Sequence, residues 1–169
     1  MRILLCLFVF VLFVAIPPTT AGDAGYLYSQ GRTAVKRGEF EFAFMYYRSV
    51  VRHHPHSGYA RKSLFAEGEY YFSVPDYTDA GNIFQQYVSR YPDGKEKIFA
   101  LAYLFRIAQD RQNQELMDKL KQEILAIKQV GFIFQDKKKV NYRSAFGNKY
   151  QAIYEIDKLT VLKGREPFV

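Results

Sequence analysis

The chain has 169 residues, enough to bury one hydrophobic core without help from disulfides or metal ions. With 49% hydrophobic and 24% charged residues it lacks the composition of a disordered protein, and a single cysteine excludes a disulfide-built scaffold. Twenty-four Lys and Arg against 17 Asp and Glu give a formal charge of +7, with the basic excess concentrated after Lys128.

Met1-Arg2 opens a 14-residue apolar run from Ile3 to Ile16, which Pro17-Pro18 closes before the small residues Thr19-Thr20-Ala21. The run is shorter than the roughly 20 residues of a spanning helix. This is the pattern of a secretory signal peptide over residues 1–21, cleaved after Ala21 or, as second choice, Ala24. An uncleaved N-terminal anchor is the alternative. Cys6 lies inside the run and no small-residue box followed by Cys stands near the cleavage site, so lipid attachment there is not expected. The cleaved chain has no thiol, which removes a cysteine nucleophile.

A repeat follows. Gly31, Phe40, Ala43, Tyr47 and Pro55 recur as Gly68, Tyr77, Ala80, Phe84 and Pro92, each 37 residues on. The pattern predicts two antiparallel helical hairpins. Gly and Ala let helices approach closely, the aromatic pairs fill the space between hairpins, and proline ends each second helix because it cannot donate the next hydrogen bond. Arg37-Gly38-Glu39 and Val74-Pro75-Asp76 are the expected turns.

A degenerate third hairpin is expected from Ile98 to Gln109 and from Asn113 to Val130. In the latter, Leu116, Leu120, Ile124, Ile127 and Val130 share one helical face. Such atypical terminal repeats cap a stack. The expected organisation is a leader (1–21), a helical repeat domain (22–130, in units of about 24–57, 58–94 and 95–130) and a basic extension (131–169). In the extension, Tyr150 to Ile156 alternates and Leu159 to Leu162 is apolar and β-branched, with a turn at Gly164, which predicts a short β-hairpin. One amphipathic helix from Lys149 to Lys163 is the rival. Lys137-Lys138-Lys139 reads as solvated surface, although a basic end also suits anionic lipid or an acidic partner.

Chemistry is sparse. His53, His54 and His56 are the only histidines, and Pro55 splits them across a helix end and a linker, unlike a convergent zinc site. Glu39/Glu41 and Glu67/Glu69 are spaced i, i+2 on different sides of a helix and are expected as solvated surface or local salt partners. No phosphate loop, nucleophile elbow or zincin motif is present. The expectation is therefore a non-enzyme with no catalytic residue, cofactor or metal. Nucleic acid is not an expected partner, since the leader sends the chain out of the cytoplasm and the aromatics follow core spacing.

The segment Gly31 to Pro55, with Gly38, Phe40, Ala43 and Tyr47, resembles the tetratricopeptide-repeat (TPR) consensus, in a unit three residues longer than the usual 34. Tyr91-Pro92-Asp93-Gly94 and His54-Pro55-His56-Ser57-Gly58-Tyr59-Ala60 resemble the linkers of the BamD-type outer-membrane assembly lipoproteins and the periplasmic Tol-Pal coordinator. The likeness covers about residues 26–110, and the missing lipobox departs from the BamD pattern. It implies a mainly α, TPR-like solenoid of two clear hairpins and one degenerate one. The implied function is a scaffold for envelope proteins or peptides in the periplasm, at the outer membrane, in outer-membrane assembly, secretion or division. Membrane contact would come through a partner or the uncleaved leader. A self-associating structural protein is the alternative. Placed on the consensus, Tyr28, Arg32, Phe65, Glu69, Phe72, Phe99 and Arg106 face a concave partner groove, or several of these aromatics complete the core. The exported product is expected to begin at Gly22; an intact mass that still includes the leader would show an anchor instead.

Overall fold

The computed structural model describes residues 23–94, 96–131, 137–155 and 159–168. The leader, and with it the expected cleavage after Ala21, lies outside them. Among the described residues six helices run in chain order: α1 (Ala24–Arg37), α2 (Phe40–His53), α3 (Ala60–Ser73), α4 (Tyr77–Arg90), α5 (Lys97–Asp110) and α6 (Gln114–Gly131). Four strands follow: β1 (Lys137–Arg143), β2 (Lys149–Glu155), β3 (Leu159–Lys163) and β4 (Glu166–Pro167).

Local chemistry sets the helix ends. Asp76 caps α4 by accepting the Asp79 amide at 3.1 Å, and Asn113 caps α6 through Leu116 at 3.0 Å. Gly38 ends α1 in the left-handed region at φ +77°, returning its N–H to the carbonyls of Ala34 and Val35, a conformation that a side chain would strain. Pro55 and Pro92 stand two residues beyond α2 and α4. The Arg90 guanidinium donates to the Pro55 carbonyl, which ties the end of the second hairpin to the linker after the first. The second helices α2, α4 and α6 begin at Phe40, Tyr77 and Gln114, so the third hairpin keeps the 37-residue step although its marker residues are gone.

Each glycine of the repeat faces a ring. A Cβ on Gly31 would stand 2.5 Å from Cε1 of Tyr47, and one on Gly68 would stand 2.8 Å from Cε1 of Phe84. Ala43 and Ala80, Tyr47 and Phe84 are fully buried. Tyr77 is half-buried against Phe72 at 5.2 Å. Phe40 departs from its counterpart and is 49% exposed. In the first hairpin Val35 takes the place of Phe72, so Phe40 lacks that ring and leans on Phe146 at 6.1 Å, with much of its surface bare. The α6 face expected from spacing is the one used: Leu120 and Ile124 are buried and Leu116 and Ile127 half-buried, while the Val130 side chain lies outside the described residues.

The strands form one antiparallel sheet in the order β1-β2-β3-β4. Tyr142 pairs with Tyr150 and Val140 with Ala152, then Ala152 with Val161 and Tyr150 with Lys163. Tyr150, Ala152 and Tyr154 are buried while Gln151 and Ile153 are not, the period of two that rules out the rival helix over Lys149–Lys163. The tail thus holds four strands where a hairpin was expected. The added first strand is β1, whose lysines disguise it as surface.

The sheet lies against the first helices of the second and third hairpins. Tyr142 stacks on Phe99 at 5.7 Å and meets Phe65 edge-on at 5.0 Å, and Tyr150 approaches both. Gly68→Ala is expected to destabilise the fold by about 1–3 kcal/mol, because the Phe84 ring must move. Gly81→Ala, a helical position with open space around it, is expected to stabilise by up to about 1 kcal/mol. Urea unfolding of both variants checks the pair of opposite signs.

Candidate partner-docking site

The sheet covers α3 and α5 where a partner groove was one expectation, so at Phe65 and Phe99 the other expectation, completion of the core, is the one the structure shows. Phe65 and Phe99 are fully buried, and Glu69 is 5% exposed. Phe72 is half-buried, edge-on to Tyr103 at 4.8 Å and to Phe168 at 6.2 Å. Tyr28 stacks on Tyr59 at 5.0 Å and is half-buried. Arg32 and Arg106 remain exposed. Phe65 and Phe99 therefore complete the core, with the chain's own sheet as their covering layer.

Glu67 and Glu69 are both buried, so the solvated alternative is corrected for them, while Glu67 does meet a salt partner. Glu67 faces Arg48 at 3.7 Å; burial pushes its pKa up, and Arg48 opposes the rise. Glu69 sits under the sheet. Its Oε1 accepts from the Tyr150 hydroxyl at 2.5 Å and from Nδ2 of Asn148 at 2.9 Å. The Tyr103 and Tyr150 hydroxyl oxygens are 2.6 Å apart, and Nζ of Lys163 donates to Tyr103 at 3.1 Å. An ammonium only donates and a carboxylate only accepts, so the proton order is fixed: Lys163 to Tyr103, Tyr103 to Tyr150, Tyr150 to Glu69. Two phenols thereby link the half-buried Lys163 amine to the buried Glu69 carboxyl. Burial still raises the Glu69 pKa, against the hydrogen bonds from Tyr150 and Asn148, the nearby Ser144 and the charge of Lys163. Ser144 lowers that pKa, yet its Oγ, like Oε2 of Glu69, has no partner at hydrogen-bonding geometry.

Beside this network, where the first hairpin meets the β1–β2 turn, a cleft of about 380 Å³ stays open. Phe40, Tyr70, Val74 and Phe146 form its apolar walls, with Glu69 and Asn148 at the inner end and Glu41 and Lys163 also lining it. The Tyr70 and Phe146 rings are nearly parallel, 20° apart with centroids at 6.5 Å. The turn is held there because Tyr47 passes between α1 and the sheet to donate its hydroxyl to the Ala145 carbonyl at 3.0 Å. Sequence reasoning missed Phe146, Asn148 and Lys163. Gly147, at φ +85°, was the one local sign of a tight turn beside them.

A second bare area lies on α2, where Phe42 is 57% and Met45 60% exposed. One repeat later the same positions are Asp79 and Asn82. The histidines do not converge: His53 and His56 are exposed and His54 is half-buried. Among the described residues no group of His, Cys, Asp or Glu is arranged to hold a metal ion, and no helix is long and apolar enough to cross a membrane.

No known protein-family profile matches the chain. Over 74 residues it is 31% identical to the outer membrane protein assembly factor BamD of Caulobacter vibrioides, a stretch that covers 44% of this chain and 24% of that protein. The likeness thus spans about a quarter of the relative's length.

The buried phenols make the fold sensitive to alkali. Burial pushes the hydroxyls of Tyr47, Tyr87, Tyr103, Tyr142 and Tyr150 far above the ordinary tyrosine value of 10.0, and that of Tyr154 up to about 12. The folded state therefore keeps protons that the unfolded chain sheds above pH 10. Stability is complete below that value and falls as pH rises past it, by about 1.4 kcal/mol per pH unit for each phenol held protonated. An alkaline titration is expected to show these tyrosines ionising in one cooperative step, coincident with loss of helical circular dichroism.

Proposed function

We propose that the chain is an exported, non-enzymatic adaptor of the TPR type that docks protein partners in the cell envelope, in outer-membrane protein assembly, secretion or division. The observation that carries the reading is the stretch shared with the BamD assembly factor, in a chain whose helices stack as consecutive hairpins. The TPR assignment draws on the Gly, aromatic and Pro positions of the repeat, and export on the leader. Periplasmic location at the outer membrane follows from the two together.

Because the sheet fills the inner face, docking falls to the first hairpin, at the open cleft and at Phe42 and Met45 on α2. Apolar side chains where the next hairpin has Asp79 and Asn82 mark a surface that is covered in use. The same pair favours a second reading, in which that surface meets a second copy of the chain.

Photo-crosslinking amino acids placed at Phe40 and Phe42 of the full-length chain separate the two. The adaptor reading expects adducts with components of outer-membrane assembly or secretion, and none from a crosslinker at buried Phe65. Adducts of the chain with itself alone would establish the second reading and remove the first.

A further inference from the structure

This inference rests on the adaptor reading and gives the open cleft a ligand. We infer that the cleft between Phe40, Tyr70 and Phe146 receives a cationic side chain of the partner protein, an arginine seated between the rings and the carboxylates of Glu41 and Glu69.

Four observations converge on a cation. The walls are aromatic faces, and Phe40 is about half exposed with no ring partner of the kind that Tyr77 has in the next hairpin. Aromatic faces attract cations through the ring quadrupole. Glu69 closes the inner end, nine-tenths buried, and Glu41 stands exposed on the lining. A carboxylate at the rim of an aromatic cleft adds a charge-assisted acceptor to the attraction of the rings.

Lys163, the basic group among the lining residues, is already engaged. It donates to Tyr103 and lies 5.6 and 5.8 Å from the ring centres of Tyr103 and Phe168. Finally, the lining holds two acids and one base in a chain of formal charge +7, so the acid excess is local and opposes the charge of the whole molecule.

Arginine fits better than lysine. Its planar guanidinium stacks on ring faces and carries five donors in a fork that matches carboxylate geometry, whereas an ammonium keeps a tight hydration shell. The volume lies at the small end of ligand sites, about 300–1,000 Å³, which suits one anchoring side chain rather than a length of extended peptide.

The test titrates the full-length chain with the tripeptide acetyl-Gly-Arg-Gly-amide and follows backbone amide shifts by NMR. Saturable shifts are expected at Val74, Phe146 and Asn148. The norleucine and glutamate versions of the peptide are expected to bind at least about tenfold more weakly. Glu41→Gln and Phe40→Ala alter exposed side chains and leave the amide spectrum elsewhere unchanged, and each is expected to weaken arginine binding about three- to tenfold.

Absence of shifts at those three residues up to about 50 mM peptide overturns the inference. So does equal binding of norleucine, which makes the cleft merely apolar, and so does tighter binding of glutamate, which makes Lys163 the anchor. Wild-type affinity in both variants overturns it as well. If envelope partners are still captured from Phe42 after any of these outcomes, the cation site falls and the adaptor reading stands.

Discussion

Phe65 joins the parts of this molecule that would otherwise be separate. On α3 it meets Phe84 and Tyr87 of α4 at 5.5 and 5.4 Å, Tyr103 of α5 at 6.1 Å, and Tyr142 and Tyr150 of the sheet at 5.0 and 5.9 Å. All five contacts are edge-on, the arrangement in which the positive edge of one ring meets the negative face of another. Each such pair contributes about 0.5–1.5 kcal/mol beyond the area it buries. One side chain thereby couples the second hairpin, the third hairpin and the tail. The face formed by α3 and α5 must close for this to happen.

Closing that face brings Glu69 into the interior, where an unpaired carboxylate is costly. The bridge from Lys163 through two phenols offsets the cost, and it also sets the strand register. Tyr150 and Lys163 are paired across β2 and β3. Slipping β3 by one residue would turn its side chains to the opposite face and take the ammonium away from Tyr103. The polar bridge and the apolar layer around it select the same alignment.

How far the sequence reveals this depends on the range of each interaction. The hairpins are legible because Gly31 with Tyr47 and Gly68 with Phe84 are local contacts that recur at one step. The inward face of β2 is legible from its alternation. β1 is hidden because Lys137 to Lys139 look like any solvated run, and its inward residues, Val140 and Tyr142, are few. The burial of Glu69 has no local sign at all, since its donors Asn148 and Tyr150 are 79 and 81 residues away. Periodicity shows which side of a helix is apolar. It does not show what covers that side, so Phe65 and Phe99 look the same whether a guest or the chain's own sheet lies on them.

The two ends of the stack are held unequally, and this bears on where a partner acts. Hairpins two and three share one core with the sheet, whereas the first contributes mainly to a smaller cluster around Ala34, Ala43 and Tyr47. Its link to the sheet runs through the Tyr47–Ala145 hydrogen bond and the rings around Phe146. The first hairpin therefore opens at lower free energy than the second. It also carries Phe40, Phe42 and Met45, the bare side chains that a partner would cover. On the proposed docking, occupancy of the cleft would add contacts across the junction between that hairpin and the β1–β2 turn, stabilising the more weakly held part of the fold and leaving the Phe65 core as it is.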